Sequence, residues 1–174
     1  MVRIIILIAA TLLLLAVTLV AHKERRRWAG ARFLAFELCI ILILLNAPVW
    51  FHDPFSPLQL ISWLFLAISI FLALQGFMLL QFRGNPDGHF ERTTCLVTTG
   101  TYKYIRHPMY ASLFFISWGA FLKDMSLLTC LIVLASTAAA LATARIEEKD
   151  CLIKFGEEYR AYMNRTKRFI PFVF

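Results

Sequence analysis

Residues 108–144 read PMYASLFFISWGAFLKDMSLLTCLIVLASTAAALATA, two apolar runs, 108–122 and 125–144, parted only by Lys123 and Asp124. Two charges between runs this apolar mark the tip of a helical hairpin whose open ends face the same side of a membrane. The first arm rises about 22 Å at ~1.5 Å per residue, short of the ~30 Å hydrocarbon core, so it tilts, thins the bilayer or does not fully cross.

Toward the N-terminus, residues 2–21 are almost unbroken aliphatic sequence, longer than the ~7 to 15 residue core of a signal peptide. They read as a retained first span, closed by His22, Lys23, Glu24, Arg25, Arg26 and Arg27. A second span is expected over 33–50 and a third over 58–82, with Asp53, Pro54, Phe55, Ser56 and Pro57 turning between them. The composition agrees: of 174 residues 60% are hydrophobic and 17% charged, with a mean hydropathy of +0.69, too apolar for a water-soluble domain of this length. The expected fold is all-α, one membrane domain over 1–174 with about five transmembrane helices. Residues 1–82 supply three spans, and 83–174 supply a polar loop, the hairpin and a C-terminal cytosolic or interfacial helix.

Charge orients the chain. Lys23, Arg25, Arg26 and Arg27 place the first connection in the cytosol and the N-terminus outside. Threading five spans from there leaves only Arg3 and Lys123 of the 18 Lys and Arg residues outside. The formal net charge of +7 therefore reports orientation and anionic headgroups, and nucleic acid is not an expected partner. Cys39, Cys95, Cys130 and Cys151 show no metal-ligand spacing, and neither a disulfide nor a metal site is expected.

Two polar stretches can carry chemistry, and both fall on the cytosolic side. In the first, residues 96–110, Pro108 suits the opening position of a helix, so the unpaired first-turn N–H groups lie beside Arg106 and His107 as a site for an anion. The same residues also read as interfacial anchors. The second continues the fifth span through Arg145, Glu147, Glu148, Lys149 and Asp150, followed by Leu152, Phe155, Tyr159 and Tyr162 at helical spacing. That aromatic face lies along the membrane or covers a pocket. Glu147, near the bilayer edge, requires a partner: Arg145 or Lys149 on a solvated helix, or a ligand cation or hydroxyl. Glu37 pairs with Arg32 or has a role of its own, while His22, His52 and His89 read as loop residues.

The segment from Leu96 to Tyr102, then Arg106-His107-Pro108-Met109-Tyr110, then Glu147-Glu148 and Phe155-Gly156-Glu157-Glu158-Tyr159 closely resemble the isoprenylcysteine carboxyl methyltransferase family in order and spacing. The resemblance covers about residues 94–171, and the first three spans match only as generic membrane helices. It implies a five-span enzyme that binds S-adenosyl-L-methionine in a cytosol-facing pocket not built on a Rossmann fold. A lipophilic substrate would enter from the bilayer. Carried over by position, the implied cofactor contacts are Thr94, Cys95, Leu96 and Val97, then Gly100 and Tyr102. They continue with Arg106, His107, Pro108, Met109 and Tyr110, and end on Glu147 and Glu148. The family's arginine four residues before the first glutamate is Thr143 here. Arg145 is the remaining candidate for a substrate carboxylate, although it points about 200° away from Thr143 on a helix.

The implied reaction is carboxyl O-methylation of an isoprenylcysteine-like substrate, with a phospholipid headgroup amine or a small thiol as the alternatives. A noncatalytic membrane subunit or small transporter is the reading from another class. Against it, the third, fourth and fifth spans contain no Asp, Glu, Lys or Arg.

Overall fold

The computed structural model describes residues 1–23, 28–87 and 93–171, and the readings made on Glu24, Arg25, Arg26, Arg27, His89 and Arg92 lie outside them. Five α-helices follow in order: α1 (Val2–Lys23), α2 (Ala29–Asn46), α3 (Pro57–Arg83), α4 (Pro108–Phe121) and α5 (Leu127–Arg165). Short 3-10 turns occupy Ala47–Val49 and Gly100–Lys103. The described residues contain no strand, only isolated bridges, so the all-α expectation holds.

Among the described residues four helices are long and apolar enough to cross a membrane: α1, α2, α3 and α5. The fifth expected span is α4, whose 14 residues rise about 21 Å. Local sequence fixes where the helices start. Pro57 and Pro108 open α3 and α4 at a position whose N–H has no helical partner to lose. Ser126 caps α5 by accepting from the Thr129 N–H, while Thr129 accepts from the Ser126 N–H.

The last carbonyls of a helix have no partner within it. Neighbouring helices answer this at the tip of the hairpin. Asn46 of α2 donates to the Ala120 carbonyl at 2.7 Å, Ser62 of α3 to Gly119 at 2.7 Å, and Gln59 of α3 to Lys123 at 3.2 Å. Gly119 permits this contact, because a Cβ there would sit 3.0 Å from Leu66 and 3.2 Å from the Ser62 carbonyl. Lys123 completes the tip with its ammonium 3.3 Å from the Trp63 ring centroid. Asn46→Leu keeps the branched heavy-atom skeleton and removes the hydrogen bond of the amide. It is expected to cost about 1–2 kcal/mol, read as a lowered unfolding midpoint in detergent. An unchanged midpoint would show that this bond contributes nothing to the tip.

The packing order differs from the chain order. α3 lies along α4 and α2 along α5, while α2 and α3, although consecutive, hardly touch. Among the described residues α1 packs chiefly on α2, and the Thr11 hydroxyl donates to Glu37 Oε1 at 2.6 Å. Glu37 thus has a partner on another helix, and the Arg32 guanidinium stacks 4.1 Å from the Trp28 ring centroid.

Candidate active site

The gap left between α2 and α3 opens into a cavity of about 470 Å³ walled by α2, α3, α4, the 93–102 segment and the end of α5. Its two halves differ in chemistry. One end carries Arg106, His107, Glu147 and the tyrosines 102, 159 and 162; the other runs among Ile40, Ile43, Ala73, Leu113 and Ile116.

The polar end is assembled by three local devices. His107 precedes α4 in a non-helical conformation (φ −126°, ψ 62°), so the chain turns there and Pro108 starts the helix. Residues 104–107 run beside the C-terminal segment: Arg106 N–H donates to the Lys167 carbonyl at 2.7 Å, His107 N–H to Arg168 at 3.1 Å, and Lys167 N–H to Tyr104 at 3.1 Å. The third device is Gly156, whose φ of 56° and ψ of −128° interrupt α5 in a conformation that disfavours side chains bearing a Cβ. Beyond that break Tyr159 and Tyr162 line the cavity, and the Tyr162 hydroxyl donates to the Tyr102 carbonyl at 2.6 Å.

Electrostatically the two adjacent glutamates are opposites. Glu148 is buried and saturated: Arg106 Nε donates to Oε1 at 2.8 Å, Arg168 Nε reaches both oxygens at 3.1 Å, and Arg168 Nη2 donates to Oε2 at 2.9 Å. Glu148 lies beyond the apolar stretch of α5, which ends at Ala144. Burial pushes its carboxyl up, but His107, Arg168 and Arg106 outweigh this and hold it at about 2, against an ordinary 4.5. Glu147 faces the cavity, and its one ion-pair neighbour among the described residues is His107, with Nδ1 3.9 Å from Oε2. Glu147 Oε2 and His107 Nε2 are both buried without a hydrogen-bond partner. Burial first, then the Glu147 charge, pushes the Cys151 thiol up to about 12, so it lines the site as an inert group. Burial likewise raises Tyr102, Tyr159 and Tyr162, which stay neutral hydroxyls at physiological pH.

Of the residues singled out from the sequence, Cys95, Leu96, Val97, Tyr102 and Arg106 line the cavity, as do His107, Met109, Tyr110 and Glu147. Thr94 does not line it: the side chain is exposed and its hydroxyl donates to the Asn85 carbonyl at 2.7 Å. Gly100 takes a positive φ against Leu79, and Pro108 is buried as the helix start. Glu148 stands behind the wall, spent on two arginines. Arg145 is exposed and is not brought to the cavity, because its helical direction carries it off the face that bears Glu147. Thr143 is fully buried, its hydroxyl donating to the Ala139 carbonyl at 2.8 Å.

The sequence reading missed Arg168 and Thr166, which hold Glu148 and Arg106, and Trp28, Arg32 and Phe36, which line the α2 side. Periodicity carries no signal for a tail segment that pairs across some 60 residues. For Trp28 and Arg32 an aromatic and an arginine just before a span are the available sign, and Arg32 reads only as a partner for Glu37.

The sequence profile of the family described as Phospholipid methyltransferase matches residues 58–158, more than half of the chain. A methanethiol S-methyltransferase from a Pseudomonas species is 27% identical over 87% of this chain. Proteins of the same description from Pseudomonas deceptionensis and Crocosphaera subtropica are 35% and 30% identical over 49% and 44% of it. The chain spans 66% of the length of the first relative and 29% of each of the other two. No solved structure matches. The profile match spans α3, the 93–107 segment, α4 and most of α5, so it takes in the wall that carries Arg106, His107 and Glu147, and the chain belongs to the phospholipid methyltransferase family of membrane methyltransferases.

Proposed function

We propose that this chain transfers a methyl group from S-adenosyl-L-methionine to a small apolar thiol that reaches the cavity from the bilayer. The observation that carries the reading is one cavity with two chemistries: a polar end where Glu147 keeps a buried carboxylate oxygen without a hydrogen-bond partner beside the His107 ring, and an apolar slot. The polar end fits a zwitterionic sulfonium nucleotide. Glu147 suits its ammonium or ribose hydroxyls, the first-turn N–H groups of α4 suit its carboxylate, and Tyr102, Tyr110, Tyr159 and Tyr162 offer ring faces to adenine and sulfonium. Bound there, the cofactor supplies an electrophilic methyl group.

The slot fits a lipophilic partner. Phe36 to Ile43 on α2 and Met109 to Ile116 on α4 each rise about 10 Å along it. Phe36 lines the cavity and is exposed, and α2 and α3 hardly touch, which supports the gap between them as the entrance from lipid. By the charge rule the polar end and the C-terminus face the cytosol and the N-terminus lies outside.

A thiol is favoured over a prenylcysteine carboxylate by position 143. The family arginine for that carboxylate is a buried threonine here, and Arg145 lies outside the cavity. A neutral thiol needs no such cation, but it must lose its proton, and with Glu147 held by the cofactor the His107 ring is the acceptor that lines the cavity. Alignment of sulfur and methyl group in a site shielded from water supplies most of the remaining barrier reduction. The test is methyl transfer from radiolabelled S-adenosyl-L-methionine to alkanethiols, a prenylcysteine analogue and phosphatidylethanolamine, beside calorimetry with S-adenosylhomocysteine. Labelled thioether with alkanethiols is expected. Labelling of the prenylcysteine or the lipid amine alone would move the substrate and keep the chemistry, whereas absence of binding at millimolar S-adenosylhomocysteine would end the reading.

A further inference from the structure

The profile match ends at residue 158, yet the polar end of the cavity is held from beyond it. Residues 166–169 run alongside 104–107 through three backbone hydrogen bonds, two of which are donated by Arg106 and His107 themselves. Arg106 extends its guanidinium into the same tail, donating to the Met163 carbonyl at 3.2 Å and to the Thr166 carbonyl. The Phe169 ring packs edge-on against the His107 ring at 6.4 Å between centroids. Glu148 joins the two sides: one carboxylate takes Arg106 from the 104–107 segment and Arg168 from the tail, with His107 Nε2 at 3.5 Å from the same Oε1.

Two features separate this arrangement from ordinary packing. Glu148 spends both oxygens on arginines and lines no part of the cavity, although its neighbour Glu147 does. Two guanidiniums on one buried carboxylate also fix the plane of that carboxylate, and with it the face shown to His107. We infer that residues 166–169 form a strap that sets the position of His107, and that Glu148 is its clasp, a positioning residue that touches no ligand. The strap completes the polar end from outside the part of the chain shared with the family profile.

The inference rests on the proposed cofactor site for its binding readout, so its test carries a second readout that does not. Calorimetry with S-adenosylhomocysteine on Arg168→Ala, Glu148→Gln and the double variant is expected to show about a tenfold loss of affinity for each single change. The double variant should lose about tenfold as well, because both cut the same clasp. Arg168→Lys, which keeps the charge without the fork, should restore part of the loss and provides a folded variant if Arg168→Ala is unstable. Hydrogen exchange at the amides of residues 105–107 should quicken in Arg168→Ala with no ligand present. Additive losses approaching a hundredfold in the double variant would make Glu148 a ligand contact and overturn the inference. Wild-type affinity together with wild-type exchange in Arg168→Ala would overturn it too. Quickened exchange in a protein that binds no S-adenosylhomocysteine would uphold the strap and remove the cofactor reading instead.

Discussion

Glu147→Ala combined with His107→Ala is expected to abolish calorimetric binding of S-adenosylhomocysteine, and Glu147→Ala alone to weaken it roughly a hundredfold. A charge-assisted hydrogen bond in a partly shielded site contributes up to about 3 kcal/mol, and that corresponds to a hundredfold in affinity. Glu147 is the carboxylate of the pair that remains available to a ligand, since Glu148 is bound to Arg106 and Arg168. His107 is the neighbour of that carboxylate, so its removal takes away the ring that stands beside it. Thermal unfolding of the same variants provides the control. A noncatalytic subunit or transporter predicts no binding in the wild type either, whereas retained affinity in the double variant would place the cofactor away from Glu147 and His107.

Arg106→Ala is expected to destabilise the protein by about 3–5 kcal/mol, the range for removing one partner from a buried ion pair. The loss falls on several acceptors at once: the Glu148 carboxylate and the carbonyls of Met163 and Thr166. Acid should reach the same cluster by another route. The carboxyl of Glu148 sits at about 2 in the folded protein and at the ordinary 4.5 when unfolded, so the folded state binds its proton more weakly. The stabilisation, roughly 3 kcal/mol, is fully present above pH 4.5 and is lost as pH falls from there through 2. The measurement is the unfolding midpoint in detergent across that range, for wild type and Glu148→Gln. The wild type should lose stability through the window and the variant should start lower and slope less. Parallel curves would show that Glu148 is not the group responsible.

The two clusters explain why neighbouring residues of one dipeptide have different fates. Successive positions on a helix point about 100° apart, so Glu147 turns to the cavity while Glu148 turns to the tail. A motif read along the sequence treats them as a pair, and only the packing of the tail tells them apart. The same rotation separates Thr143, buried in the bundle, from Arg145, exposed at its surface.

By itself the sequence determined everything that depends on local periodicity and on solvent. Apolar runs of helical length can satisfy their backbone in lipid only as helices, so the all-α architecture, the hairpin at Lys123 and Asp124, and the shortness of α4 followed from composition and spacing. His107 and Glu147, which line the cavity, were legible because polar residues adjoining membrane helices are costly without a use, whereas Cys95 and Tyr102 were marked only by the family resemblance. Only the tertiary structure decided the rest. The separation of α2 from α3, the capping of α4 by Asn46, Ser62 and Gln59, and the pairing of residues 104–107 with the tail all join positions far apart in the chain. Such contacts depend on which helix faces meet, and no period of 3.6 residues records which partner a face will find.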